Sequence, residues 1–252
     1  MIALPVAFPM YDFPELAHAH ERLRDRFLAR MSAGRGFGDV GLTQICGYPL
    51  ITSLSGAYAV IGAPIYDLPL SRSSEHRGLV VVAADSPYVT ITDLRGTRFA
   101  YNAPDSNTGA NLPRRLFAPL ARGGRFFRET LETGSHVASL IAVTLGDADA
   151  ASIDSVTFAL LAAHRPTALT GVRVLAMTAA SPLPPFVTPA PADPAMIDRL
   201  FAALSAAIDD VRDESGGESF YIASLVPATS ADYVSLALLE REATAFDYGR
   251  LA

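Results

Sequence analysis

Cysteine is nearly missing from this chain. Cys46 stands alone among 252 residues, which excludes an intrachain disulfide and any cluster of thiolate metal ligands. Long apolar runs are missing too: no stretch reaches the roughly 18 uninterrupted hydrophobic residues of a membrane-spanning helix, so direct membrane insertion is not expected. The opening MIALPVAFPMYDFPEL has neither the basic start nor the long apolar centre of an export signal. A cytoplasmic location is expected on that basis, and a periplasmic one if such a signal is missing from the sequence. Positive charge is in short supply, with a net charge of -6 and a pI near 5.3. A chain of this balance lacks the footprint that grips a phosphate backbone, so nucleic acid is not an expected partner. A small anion is not excluded, because it responds to the local field of its pocket rather than to net charge. Catalytic signatures are equally scarce. There is no G-x-S-x-G elbow and no H-E-x-x-H, and His18 and His20, two apart on a helix, point in different directions. No cofactor and no metal site is expected.

What is present is a well-patterned globular chain. Half of its residues are hydrophobic, which provides a core and argues against disorder. Ile2 to Phe8 reads as a strand ending at Pro9, and Asp12, Pro14 and Glu15 read as the capped start of a helix. Phe13, Leu16, His20, Leu23, Phe27 and Met31 then recur every three or four residues as one core face, with Arg22 to Arg30 mostly a solvated one. Gly34, Gly36 and Gly38 stop the helix. Strands follow at 40–46, 57–65, 79–83, 98–102, 128–133, 150–153 and 172–177, with a turn at Gly47-Tyr48-Pro49. Helices lie after 109 to Leu120, over 136–145 and over 155–164, with two more at about 193–209 and 230–245. This alternation predicts an α/β fold with largely parallel sheets flanked by helices. Pro-containing breaks at 85–88 and 181–187 bracket an α/β unit of its own. The expected organisation is therefore two lobes, 1–85 plus 183–252 and an inserted 86–182, with two crossings able to act as hinges.

Three strand-to-helix junctions in the inserted lobe carry polar residues. Asn102 to Gly109, including Ser106, Asn107 and Thr108, sits at a helix start, where unpaired amides and the dipole favour an anion. Each charge-assisted hydrogen bond there contributes roughly 1.5–3 kcal/mol. Three or four suffice for micromolar binding, about −8 kcal/mol net. Ser106 or Asn107 read simply as an N-cap is the competing account. Gly134-Ser135-His136 offers either an anion donor or a capping and stacking ring, and Ile153-Asp154-Ser155 either a site carboxylate or a cap. Ligands of open α/β sheets sit beyond the carboxyl ends of the strands, so the three junctions should converge, which favours a site. Gly36-Phe37-Gly38-Asp39-Val40-Gly41 matches G-x-G-x-x-G but follows a helix and leads into a strand, so it reads as a loop. Ser135, His136, Asp154 and Ser155 do not form a hydrolase triad, because adjacent Ser and His in one turn cannot serve each other as nucleophile and base.

Taken in order, several segments resemble the phosphate/phosphonate-type substrate-binding proteins of ABC transporters, which have the type II periplasmic-binding-protein fold. They are Met10-Tyr11-Asp12, Gln44-Ile45-Cys46-Gly47-Tyr48-Pro49, Ile65-Tyr66-Asp67, Asp105-Ser106-Asn107-Thr108-Gly109, Gly134-Ser135-His136 and Ala151-Ser152-Ile153-Asp154-Ser155. Leu183-Pro184-Pro185-Phe186-Val187 and the closing helices fit as well. The resemblance implies two lobes with a ligand in the cleft between them. It assigns the phosphonyl oxygens to Ser106, Asn107 and Thr108, a donor to His136 and a strand-end carboxylate to Asp154. Tyr48 and Tyr66 become aromatics from the opposite lobe, with Tyr11 as a further wall. Asn107 interrupts the family's run of small hydroxyl residues.

The expectation is a binding protein, not an enzyme, that captures a small phosphate- or phosphonate-like anion. Asp154 would read a protonated or amino group on the ligand, and ABC transporter membrane subunits would be the protein partners. The alternative is a cytoplasmic enzyme of cofactor biosynthesis on the same fold, with His136 and Asp154 as acid–base groups. An effector-sensing domain is least favoured, because no helix-turn-helix segment precedes residue 1.

Overall fold

Hydrophobic residues three and four apart set the first long helix. The computed structural model describes residues 6–32, 41–71, 73–215 and 220–252, and in it α1 (Ala17–Ser32) buries the expected stripe. Leu23 and Phe27 are fully buried, Leu16 and Met31 nearly so, and His20 lies against Phe8 at 5.6 Å between ring centroids. Asp12 does not cap this helix. Tyr11 adopts a left-handed backbone (φ 62), and the Phe13 N–H bonds back to the Tyr11 carbonyl at 2.9 Å. Asp12 is thus spent as the centre of a tight turn, and a 3-10 turn at Pro14–Leu16 leads into the helix instead.

The elements then run β1 (Thr43–Gln44), α2 (Gly47–Ile51), β2 (Tyr58–Tyr66), β3 (Glu75–His76), β4 (Gly78–Ala83) and β5 (Arg98–Tyr101). They continue with α3 (Leu112–Phe117), β6 (Glu129–Glu132), α4 (His136–Thr144), β7 (Ala150–Asp154), α5 (Ser155–His164) and β8 (Val172–Met177). The series ends with β9 (Ser181–Pro182), β10 (Phe186–Pro189), α6 (Pro194–Ser215), β11 (Ile222–Val226) and α7 (Val234–Ala245). Where the sequence predicts a turn at Gly47-Tyr48-Pro49, the chain makes one helical turn, which tolerates proline near its start. β11 has no counterpart among the predicted strands. The expected opening strand survives as a bridge from Val6 to Leu42; its first residues, like the glycines at 34, 36 and 38, lie outside the described residues.

Two compact units result. Unit 1 comprises 1–75 and 182–233, and unit 2 comprises 76–181 and 234–252. The first boundary falls ten residues before the Pro-containing break at 85–88. The physical reason is β4, an apolar strand central to unit 2 that precedes that break. The last 19 residues also join unit 2, because Ala243 and Tyr248 are part of its core, so the chain passes between the units three times rather than the expected two.

One sheet is antiparallel and the other mixed, which corrects the expectation of mostly parallel ones. In unit 1 the order is β1-β10-β2-β11 and every pairing is antiparallel. α6 packs on β2, β11 and α1, with Arg26 and Arg30 of α1 ion-paired to Glu214 and Asp210. In unit 2 the order is β6-β5-β7-β4-β8. β5 runs parallel to β6 and β7, as the two βαβ crossovers through α3 and α4 require. β4 runs antiparallel to both β7 and β8, since it enters the unit from the other end. Strand–helix alternation along a sequence does not reveal that reversal.

The core of unit 2 is an aromatic cluster. Phe99 stacks on Phe127 at 4.5 Å, and Phe117 lies 4.8 Å from both Phe126 and Phe127. Val80, Val82, Leu94, Ala150 and Tyr248 close around them. Phe127→Ala is expected to lower the stability of this unit by about 3–5 kcal/mol, read as a shifted midpoint in urea unfolding. A shift under about 1 kcal/mol would show that the cluster is not the unit's principal core.

Candidate functional site

The junction after β5 builds a helix start of unusual width. Ser106 is extended (φ −73, ψ 132) and its Oγ accepts the Gly109 N–H at 3.0 Å. Asn107–Asn111 then wind as a single π turn before α3, and the Ser106 carbonyl accepts both the Ala110 and Asn111 amides, at 3.1 and 3.0 Å. The Thr108 amide, in the first turn of the helix, has no intrahelical acceptor. Ser106 therefore satisfies both sequence readings: it caps the helix by accepting, and its own O–H remains a donor. Glycine at 109 is required by space. A Cβ there would fall 1.8 Å from Asn102 Oδ1 and 2.9 Å from Ser106 Oγ.

His136 opens α4, behind Ser135, whose Oγ accepts the Ala138 amide at 3.0 Å. The ring bridges two strands' ends. Nδ1 lies 3.2 Å from the Ser152 carbonyl, which can only accept, so Nδ1 carries a proton. Nε2 lies 3.3 Å from Thr108 Oγ1. Burial lowers the His136 pKa below the ordinary histidine value, against the opposing pull of Asp154. The neutral ring then offers a lone pair at Nε2, and the Thr108 hydroxyl donates to it. His136 is thus engaged at both ring nitrogens, by the Ser152 carbonyl and by Thr108. Ser152, fully buried on β7, completes the arrangement by donating its hydroxyl to the Thr108 carbonyl at 2.6 Å.

The other candidates of unit 2 are committed elsewhere. Asn107 donates to Ser181 Oγ at 2.8 Å and accepts from Asn111 Nδ2 at 3.2 Å, bracing the turn rather than facing outward. Asp154 caps α5: Oδ1 accepts the Val156 and Thr157 amides at 2.9 and 3.1 Å. Its Oδ2 meets His76 Nδ1 at 2.6 Å, with both side chains almost wholly buried. Burial alone would raise this carboxyl, but the His76 imidazole, through charge and hydrogen bond, holds it below the ordinary carboxylate value. The expected reading of a ligand's amino group by Asp154 finds no unengaged oxygen.

The three tyrosines belong to unit 1 and are buried there. Tyr11 and Tyr66 meet edge to face at 5.4 Å, and Gln44 Nε2 lies 3.4 Å from the Tyr66 hydroxyl, while Tyr48 sits on α2. Two functional residues escape the sequence reading. Ser152 occupies an alternating strand position with no local signal. His76 meets Asp154 only because β4 and β7 pair with Gly78 opposite Asp154. No group of three or more His, Cys, Asp or Glu among the described residues is arranged to hold a metal.

This seat of amides, hydroxyls and a neutral imidazole at strand–helix junctions suits a small oxyanion. A family model described as ABC transporter, phosphonate, periplasmic substrate-binding protein matches residues 34–233. The chain belongs to this family. Phosphonate-type binding proteins capture a small anion for an ABC transporter, and this chain is one of them. The family consists of binding proteins, not enzymes, and is periplasmic. The cytoplasmic location expected from the opening residues is not supported by this family, whereas the periplasmic alternative is. No helix of the described residues is long and apolar enough to cross a membrane.

Solved structures agree on the fold. A binding protein component of an ABC phosphonate transporter from Pseudomonas aeruginosa (PA3383) has a TM-score of 0.67 at 14% identity, over 92% of this chain and 84% of that one. PhnD1 from Prochlorococcus marinus, in complex with methylphosphonate, has a TM-score of 0.61 at 15% identity, over 88% and 83%. XAC2383 from Xanthomonas citri, bound to ATP, has a TM-score of 0.60 at 18% identity, over 92% and 91%. No curated protein sequence matches the chain. These type II periplasmic binding proteins share the mixed α/β architecture described above.

Two outcomes follow from this geometry. Gly109→Ala is expected to force Asn102 and Ser106 apart, weakening anion binding by about tenfold or more while the melting temperature drops by only a few degrees; unchanged affinity in a titration would show that the turn is not the seat. The second concerns pH. Unfolded, His136 regains its ordinary pKa of 6.5, so below that pH the unfolded chain takes up a proton the folded chain refuses, and stability falls as the pH drops. His136→Gln should flatten urea-measured stability as the pH falls below 6.5 relative to the parent, with the residual slope including the lowered pKa of half-buried His20.

Proposed function

We propose that this chain captures a small phosphonate monoanion on the Ser106–Thr108 helix start, in the periplasm, and passes it unaltered to the membrane subunits of an ABC transporter. The observation that carries this reading is the proton arrangement at His136. Its Nδ1–H is spent on Ser152, and Thr108 donates to Nε2, so the Thr108 oxygen presents a lone pair to the ligand. The Ser106 hydroxyl and the Thr108 amide present protons. A seat with both donors and an acceptor suits an oxyanion that retains one proton. A phosphonate monoanion has that proton and a sulfonate of the same shape does not.

Asp154 supports a ligand without an amino group. Its oxygens already accept two amides and the His76 ring, so an ammonium there would have to displace a buried pair. The same engagement argues against Asp154 as a general acid or base, and with it the enzyme reading that paired Asp154 with His136.

Methylphosphonate, the ligand of the Prochlorococcus marinus PhnD1 structure, is the natural probe. Calorimetric titration at neutral pH should give methylphosphonate an affinity at least about tenfold above methanesulfonate. Ser106→Ala should cost about tenfold, and 2-aminoethylphosphonate should gain nothing over ethylphosphonate. Equal heats for the phosphonate and the sulfonate would sink the reading.

A further inference from the structure

A basic cavity lies in unit 2; its lining reaches Pro104 and Ala110 on either side of the Ser106–Thr108 turn but includes neither Ser106, Thr108 nor His136. It measures about 430 Å³ and its lining includes Arg114, Arg125, Arg128 and Arg250, together with Tyr101 and Glu129. All 20 basic residues of the chain are arginines, and elsewhere many are neutralised. Arg24, Arg26, Arg30, Arg98, Arg115 and Arg212 each hold a carboxylate. Arg125, Arg128 and Arg250 make no side-chain hydrogen bond or ion pair among the described residues. The carboxylate that acts on Arg128 at a distance, Asp149, is itself bound to Arg98. In a chain of net charge -6, three unneutralised guanidiniums around one cavity repel each other and are relieved only by an anion.

The cavity is built rather than incidental. Arg125 and Arg128 flank Phe126 and Phe127, which are 2% and 0% exposed in the aromatic core. The two phenylalanine amides both bond to the Ala252 oxygen, at 2.7 and 2.9 Å, which fixes the backbone between the arginines. Buried Arg114 is held by the Gly249 carbonyl at 3.1 Å and Asn111 Oδ1 at 2.6 Å, with Glu240 at 3.7 Å. Two of the guanidiniums are thus carried on an anchored loop leading into β6 and a third on a clamped helix. Glu129 and the Ala252 carboxylate are the opposing charges in the lining, and against four arginines they leave a positive balance.

We propose that this cavity binds a chain of linked phosphates, as in a nucleoside di- or triphosphate or free polyphosphate. Planar guanidiniums pair with adjacent phosphate oxygens two bonds at a time, and the volume exceeds what a single phosphonate fills. The proposal goes beyond the phosphonate seat and does not depend on it.

The test is calorimetric titration of the full chain with tripolyphosphate, ATP and orthophosphate, for the parent and for Arg125→Ser/Arg128→Ser. Both substituted residues are exposed, and an unchanged melting temperature will confirm folding. Tripolyphosphate should bind tighter than orthophosphate, weaken with added salt, and lose about a hundredfold in the double variant, while methylphosphonate binding stays unchanged. ATP binding tighter than tripolyphosphate identifies a nucleotide as the source, with Tyr101 beside the phosphates; the reverse identifies free polyphosphate. The proposal is overturned if tripolyphosphate does not bind, if the double variant binds it equally well, or if saturating methylphosphonate abolishes its binding. Failure of methylphosphonate to bind the parent, with tripolyphosphate behaving as expected, would defeat the phosphonate reading alone.

Discussion

Everything at the seat depends on one buried serine. Ser152, fully enclosed on β7, donates its hydroxyl to the Thr108 carbonyl and accepts the His136 Nδ1–H on its own carbonyl. It therefore fixes the π turn after β5 and the ring at the start of α4 with respect to one strand. The close approach leaves no room on the neighbouring strand: a Cβ on Gly78 would meet Ser152 Oγ at 2.6 Å and the Thr108 carbonyl at 2.7 Å. A hydroxyl with no solvent access and one well-placed acceptor has a single low-energy arrangement, which is how a small site becomes preorganised. The same contact decides that His136 Nδ1 carries a proton.

Electrostatics are divided between buried neutralised groups and exposed open ones. Asp154 and His76 form a sealed pair whose work is structural, capping α5 and tying β4 to β7. Such a pair stabilises only while both members are present, because removing one leaves an uncompensated buried group. His136 escapes that cost by remaining neutral. The arginines around the cavity beside β6 do the opposite: they keep their charge at the surface, positioned by phenylalanines in the core. The aromatic cluster that stabilises unit 2 thus also sets the geometry of its most basic surface.

Much of the fold was legible in the sequence, for reasons that are local. The apolar stripe of α1, β8 at Val172–Met177 and α5 at Ser155–His164 follow from periodicity and capping, which act within a few residues. Ser106 and Ser135 cap as their residue type implies. β11 was not legible, because Ile222–Val226 is a short stretch with little alternation and finds its place only against β2. Asp12 failed as a cap because a left-handed Tyr11, not its own chemistry, set its direction.

The sequence by itself determined where helices begin, which faces are apolar, and the run of polar junctions by which the family is recognised. Propensity, capping and periodicity are properties of neighbouring residues, so they survive in one dimension. Tertiary structure alone decided that β4 runs against its neighbours, that His76 seals Asp154 from 78 residues away, and that His136 Nδ1 faces the Ser152 carbonyl. Each of these depends on strand register and on which buried acceptor lies within about 3 Å, and such distances exist only once the sheet has formed.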